Sequence, residues 1–235
     1  MYTEDFVVRY GELSSDGYVK PTAILQYLQE IATDHSGSCG YGVYELQEMG
    51  IGWVIMCWDV KLGRRIRWRE RLTCRTWPYE FRSYVGKRAY EIVAEDGEVV
   101  AQADSWWAMM DLKEMKATPV TEEIARAFGE DPKPERLPVM KRPGGEADMQ
   151  AAPVVFSPAD IDTNGHVNNI RFAEMAYSYV PSLQNIREFR IEYRNSGHLG
   201  ETMTPTYSHT GDHAYVCLMG QEKPYVKMEV FYGKE

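Results

Sequence analysis

The chain has 235 residues, with 26 Lys and Arg against 35 Asp and Glu, a formal net charge of −9, 44% hydrophobic residues and 26% charged. That composition excludes wholesale disorder, and the length suits one large domain or two of roughly 100–150 residues each. The longest uncharged apolar stretch, Met49 to Trp58, falls well short of the roughly 20 apolar residues of a membrane span, and the acidic balance with no recognisable module argues against nucleic-acid binding.

Taken from the N-terminus, MYTEDFVVRY has acids at Glu4 and Asp5 and no basic stretch, so it does not read as a signal peptide and a cytoplasmic location is expected. Behind Pro21, which a first helical turn tolerates, Ile24, Leu28, Ile31 and Ala32 recur at helical spacing. His35 follows and reads as a helix C-terminal cation or a surface residue. Four strand-like runs come next, over 51–62, 70–80, 84–94 and 98–110, rich in β-branched and aromatic residues such as Trp53, Ile55, Val60, Tyr90, Ile92, Val99, Trp106 and Trp107. Glu95-Asp96-Gly97-Glu98 is a hairpin signal. Met49, Ile51, Trp53, Ile55, Met56, Met109 and Met110 suit either ordinary core or the lining of a tunnel for a flexible apolar ligand.

Arg64, Arg65, Arg67, Arg69 and Arg71 alternate around Ile66 and Trp68, as in a strand or strand-end loop with basic groups outward. Such a patch can dock an acidic partner, or it can be a solvated face protecting a sheet edge. Cys39, Cys57, Cys74 and Cys217 form no CxxC pair and read as small buried hydrophobes in a reducing compartment. An irregular connection over 113–150 carries one short helix candidate, Thr121 to Phe128, with Thr121 as N-cap, followed by a stretch rich in Pro, Gly and charge.

The second half repeats the plan. At an offset of 148, Glu12 pairs with Asp160, Leu13 with Ile161, Asp16 with Asn164, Gly17 with Gly165, and Val19 with Val167. Phe172, Ala173, Ala176 and Val180 then follow at helical spacing until Pro181. Strand-like runs over 187–194, 202–210, 213–220 and 224–232 come after, with a turn at Thr210-Gly211-Asp212. Helix then antiparallel meander, twice, implies an α+β chain with units over 1–112 and 151–235.

The densest chemistry is Asp160-Ile-Asp-Thr-Asn-Gly-His-Val-Asn-Asn169, directly before the second helix. Helix-start amides without intrahelical partners suit a carbonyl oxygen or developing oxyanion. A carboxylate, an amide and an imidazole beside them are the parts that acyl-transfer hydrolysis needs. Segments of this composition also serve simply as caps and turns. Comparison of the repeats favours chemistry: Asp162, Asn164 and His166 correspond to Ser14, Asp16 and Tyr18, so the scaffold residues match and the reactive ones do not. His198, His209, His213 and Cys217 offer no second close ligand pair, so they read as turn polarity and no metal is expected.

D-x-D-x-N-x-H-V-N-N before an amphipathic helix resembles the acyl-acyl carrier protein thioesterases, a double hot-dog family. Phe6 to Pro21, Trp53-x5-Asp59, Trp106-x4-Asp111 and Glu192–Arg194 fall in the family's order. The resemblance implies two tandem hot-dog units, each a long helix wrapped by a curved antiparallel sheet, the N-terminal one degenerate and the C-terminal one catalytic. It implies hydrolysis of the thioester between a fatty acyl chain and the phosphopantetheine arm of acyl carrier protein, with Asp162, Asn164 and His166 catalytic and no cofactor. Gly165, Val167 and Asn168 at the helix start, with Arg64, Arg65 and Arg67 toward the carrier, are the expected substrate contacts.

Family members often carry a Glu, and plant members a neighbouring Cys, where this chain has Ser196 and Gly197. A covalent thiol mechanism is therefore not expected, and Glu192 or Glu201 is a candidate replacement for the acid. Hydrolysis of acyl-coenzyme A, hydration or dehydration of a carrier-bound chain, and acyl binding without turnover are the rival functions. Exposed sheet edges leave room for a homodimer.

Overall fold

The computed structural model describes residues 1–133, 137 and 140–233, so part of the expected connection, 134–136 and 138–139, lies outside the described residues. The chain divides into two compact units, Met1–Met56 with Leu62–Met140, and Cys57–Lys61 with Lys141–Glu235.

The first unit contains β1 (Tyr2–Val7), α1 (Pro21–Ser38), α2 (Val43–Glu48), most of β2 (Ile51–Leu62), β3 (Arg71–Arg82), β4 (Val85–Ala94), β5 (Val99–Asp111), β6 (Lys116–Ala117) and α3 (Glu122–Phe128). β1, β3, β4 and β5 pair antiparallel in that order, and β6 pairs with the end of β5. The β3–β4 register shifts between Pro78 and Glu80, a bulge beside a residue with no N–H to offer the ladder. α1 packs on β3 and β1 and buries Ile24, Leu25, Leu28 and Ile31. Each such side chain contributes roughly 1.5–3 kcal/mol on burial, so packing rather than helical propensity holds α1. α3 starts as expected, the Thr121 hydroxyl accepting from Ile124 N at 3.3 Å.

The second unit contains β7 (Met149–Gln150), β8 (Val154–Val155), α4 (Asn169–Tyr177), β9 (Ile186–Tyr193), β10 (Thr202–Thr210), β11 (His213–Met219) and β12 (Pro224–Tyr232). Cys57–Lys61, from the centre of β2, pairs antiparallel with β9; β12, β11 and β10 follow in antiparallel order, and β7 and β8 both pair with β10. α4 packs on β12 and β11 through Phe172, Ala173, Ala176 and Tyr177. It is 9 residues long against 18 for α1, and it stops before Val180. Val180 precedes Pro181, and a residue before proline is driven out of the helical region.

The eight expected strands lie within two residues of their expected bounds. β1 escapes the sequence pattern because Glu4 shares its inward-facing side with Tyr2 and Phe6. Burial first, then Asp34, raises the Glu4 carboxyl above its ordinary value.

His35 corrects an expectation. It is neither a terminal cation nor on the surface but is buried on α1, where its Nδ1 meets Arg88 Nη1 at 2.8 Å. Its ring stacks on Tyr2 at 5.4 Å and meets Phe128 edge-on at 5.6 Å. Burial, then the Arg88 charge, lowers its pKa to about 4. An unfolded chain protonates His near 6.5, so between the two values it binds a proton that the fold refuses. The neutral imidazole's contribution is thus fully present above about 6.5, declines as pH falls, and is gone below about 4, a span of order 3 kcal/mol. Denaturant unfolding from pH 7.5 to 4.5 is expected to show this decline, and His35→Gln to flatten it; equal slopes in both proteins would refute the assignment.

Candidate active site

The segment before α4 is built by local hydrogen bonds. A short 3-10 turn, Pro158–Asp160, brings the Asp160 carboxylate back onto Ser157, whose N and Oγ donate to it at 2.8 and 2.7 Å. Arg171, on α4, donates to the other oxygen from Nε at 3.2 Å and from Nη2 at 2.9 Å. Burial alone would raise this carboxyl, but the Ser157 and Arg171 bonds outweigh it and the pKa falls below the ordinary value. Asp160 is therefore a structural anion tying the turn to the helix.

Beyond it the chain reverses. Asp162 N donates to His166 O at 2.8 Å, Gly165 N donates to Asp162 O at 3.1 Å, and Ile161 bridges Val167. Gly165 has φ +76°, a left-handed conformation that glycine adopts without strain. Asp162 Oδ1 accepts from Asn164 N at 2.8 Å and His166 N at 3.3 Å, which leaves Oδ2 without a hydrogen bond among the described residues. Asn168 caps α4, its Oδ1 accepting from Ile170 N at 2.8 Å, and buried Val167 is held by Gly197 O at 2.8 Å. Asp162, Asn164 and His166 thus share one tight turn, with Asn164 exposed and its amide directed to no described partner.

The first unit carries the same skeleton. Ser14 N donates to Tyr18 O at 2.8 Å, Gly17 N to Ser14 O at 3.0 Å, Leu13 bridges Val19, and Gly17 has φ +82°. The side chains differ. Asp16 accepts from Ser14 Oγ at 2.6 Å and Tyr18 N at 3.2 Å through one oxygen and pairs with Arg65 Nη2 at 2.6 Å through the other. Its pKa is below the ordinary value because these bonds overcome the cost of burial.

The arginine cluster lies in the loop between β2 and β3, with Arg71 opening β3, and two of its members do not face outward as expected. Arg64 pairs with Glu70 at 2.8 Å and Glu98 at 2.9 Å. Arg65 lies 3.9 Å over the Tyr18 ring besides holding Asp16. Half-buried guanidiniums need carboxylates, and besides the nearby Glu70 the acids they found, Glu98 and Asp16, are distant in sequence. Arg67 is exposed and sits 5.5 Å over Tyr18. With Glu70 these residues line a cavity of about 530 Å³.

Among the apolar candidates, Met109 is buried with Ile124 and Phe128, and Ile51 and Trp53 pack on that cluster with Phe81, Tyr41 and Cys39. Ile55 is buried elsewhere in the core, and Met56 and Met110 are half-buried. Met49 is 54% exposed and leaves the candidate lining. Cys57, Cys74 and Cys217 are buried thiols, Cys39 half-buried.

Of the candidate replacement acids, Glu192 is buried between Arg142 and Arg194, each at 3.2 Å, and so is already neutralised. Glu201 Oε2 accepts from His198 N and from Tyr225 OH, both at 3.0 Å. Ser196 is exposed, while Gly197 is buried. His198, treated in the sequence as turn polarity, lies beside His166 with ring centroids 4.8 Å apart. The matching hydrogen bond, Val167 to Gly197, joins segments distant in sequence, so no local pattern announced it. His213 pairs with Glu229 at 2.9 Å. Among the described residues no group of three or more His, Cys, Asp and Glu side chains is arranged to hold a metal ion, and no helix is long and apolar enough to cross a membrane.

Residues 1–128 match the family model described as the acyl-ACP thioesterase N-terminal domain. The oleoyl-acyl carrier protein thioesterase 1, chloroplastic, of Arabidopsis thaliana is 23% identical over 236 residues, covering 89% of this chain and 65% of that protein. The chain spans about half to two thirds of the length of the curated relatives it matches. A crystal structure of an acyl-ACP thioesterase from Bacteroides thetaiotaomicron superposes with a TM-score of 0.85 at 22% identity, covering 98% of this chain and 97% of that one. The 12:0-ACP thioesterase from Umbellularia californica gives 0.85 at 17%, covering 100% and 97%. At these identities the structures establish a shared fold, a mixed α+β architecture with extensive antiparallel sheet and few helices.

Proposed function

The chain belongs to the acyl-ACP thioesterase family, and on that premise we propose that it hydrolyses fatty acyl-acyl carrier protein thioesters to a free fatty acid and the carrier thiol. One observation carries the assignment of the site. Two turns share their backbone hydrogen bonds, and the one before α4 alone bears Asp162, Asn164 and His166 where the other bears Ser14, Asp16 and Tyr18. We read the chain accordingly as two tandem hot-dog units, the first a degenerate copy and the second the catalytic one.

In this mechanism the Asn164 side-chain amide and the backbone N–H groups at the start of α4 hold the thioester carbonyl oxygen. Those dipoles lie where negative charge develops in the transition state. Asp162 keeps the turn closed through Oδ1 and presents Oδ2 to a water. His166 accepts the proton of that water as its oxygen bonds to the carbonyl carbon. The C–S bond then breaks, and the carrier thiolate takes the proton from His166. A thiolate leaves readily, so the step needs no metal or organic cofactor. Val167 and Asn168 form the wall beside the carbonyl.

Acyl carrier protein is the proposed partner. Arg67 is the contact offered to its phosphopantetheine phosphate or acidic surface, while Arg64 and Arg65, held by their own carboxylates, shape the adjoining cavity. A panel of acyl-carrier thioesters of increasing chain length, followed by thiol release, is the test, with one acyl group measured on both acyl carrier protein and coenzyme A. Turnover with a higher kcat/KM on the protein carrier is expected. A higher value on coenzyme A would reassign the carrier, and binding without thiol release from any thioester would refute hydrolysis.

A further inference from the structure

We propose that His198 is a positioning residue for His166, setting the orientation of the imidazole that moves the proton; this rests on the hydrolytic function proposed above. The geometry comes from Gly197. Its carbonyl accepts from Val167 N at 2.8 Å, which aligns the segment after β9 with the turn before α4. A Cβ on Gly197 would lie 2.7 Å from Phe156 Cε2, 3.0 Å from Phe172 Cζ and 3.0 Å from Val167 Cγ2. Only a glycine lets the two segments approach so closely, and the residues flanking this contact, His198 and His166, are delivered side by side. Their ring centroids are 4.8 Å apart with planes at 66°, the edge of one imidazole toward the face of the other.

The segment is clamped from its other end as well. Glu201 Oε2 accepts from His198 N at 3.0 Å and from Tyr225 OH at 3.0 Å, Glu201 N donates to His198 O at 3.1 Å, and Gly200 N donates to Phe156 O at 3.0 Å. His198 is exposed, so this anchoring does not serve to fill the core. Asp162 makes no hydrogen bond to the His166 ring among the described residues: its Oδ1 accepts from backbone amides and its Oδ2 accepts from none. Among the described residues, the aromatic ring packed against it is that of His198.

A general base must keep one tautomer and one direction while it takes a proton from water and returns it to sulfur. His198 supplies that restraint, through its ring edge or one bridging water. The balance of the reaction is unchanged: water adds its oxygen to the carbonyl carbon, the thiolate departs with the proton carried by His166, and His198 ends as it began.

The test is steady-state hydrolysis of acyl-carrier thioester by the parent, His198→Ala and His198→Gln, together with NMR of the His166 ring protons in the parent and His198→Ala. His198→Ala is expected to lower kcat about tenfold to a hundredfold with KM nearly unchanged, a size typical of impaired acid–base catalysis. His198→Gln, planar and still able to hydrogen-bond, is expected to recover part of the loss, and the His166 ring resonances are expected to move once the neighbouring ring current is removed. Parental kcat in His198→Ala, a loss expressed in KM alone, or unmoved His166 resonances would each overturn the proposal. A parent that releases no thiol would instead refute the hydrolytic function, an outcome distinct from an active parent that tolerates His198→Ala.

Discussion

Asp162→Ala and His166→Ala are each expected to reduce kcat on acyl-carrier thioester by about a hundredfold or more, close to 3 kcal/mol on the barrier. For His166 the expected loss is that of the proposed proton carrier. The ring is half-buried and fills no core, so the variant is expected to keep the parental unfolding midpoint. For Asp162 two effects are mixed. Its Oδ1 accepts from Asn164 N at 2.8 Å and His166 N at 3.3 Å, so alanine also loosens the turn. Asp162→Asn separates them, since an amide oxygen still accepts those bonds while the charge is gone. Asparagine as inactive as alanine would show that the carboxylate acts on water; asparagine at the parental rate would reduce Asp162 to a turn residue. Parental rates in both alanine variants would end the assignment of this turn as the active site.

The largest expected loss of stability is at Arg190, in the second unit. Its register partners are Asp59 on one side and Glu229 on the other, so one guanidinium stands between two carboxylates across three paired segments. It lies 3.6 Å from Asp59 Oδ2, 3.2 Å from Glu229 Oε2, also pairs with Glu188, and sits 4.6 Å over the Phe231 ring. Asp59 is 2% exposed and Glu229 8%. Arg190→Met keeps much of the volume and strips both acids of this cation, and removing one partner from a buried ionic network costs about 3–5 kcal/mol. Urea unfolding is expected to show a midpoint lowered accordingly, with Arg190→Lys intermediate because an ammonium cannot reproduce the planar fork. A loss below 1 kcal/mol would mean that water already screens these charges.

These two expectations differ in how early they were legible. Asp162 and His166 stand out in the sequence because a turn and its helix cap are built within ten residues, from glycine, Asx side chains and helical periodicity. The same locality made eight of the strands readable to within two residues and exposed the internal repeat. Asp59–Arg190–Glu229 was invisible, as were the Arg88–His35 contact and the distant carboxylates Glu98 and Asp16 that turn Arg64 and Arg65 inward. In each case a charged residue in a strand or loop reads as surface until the acid or imidazole that accompanies it is known.

From the sequence alone came the α+β plan, the repeated turn-and-helix and the candidate residues gathered at Asp162–His166, because backbone propensity, side-chain periodicity and turn formation act over a few neighbouring residues. Tertiary structure alone decided which buried charges are compensated, that His35 is neutral rather than cationic, and that His198 stands against His166. Those outcomes depend on which distant strands and loops pack together, and hence on burial and contact that no local stretch of chain encodes.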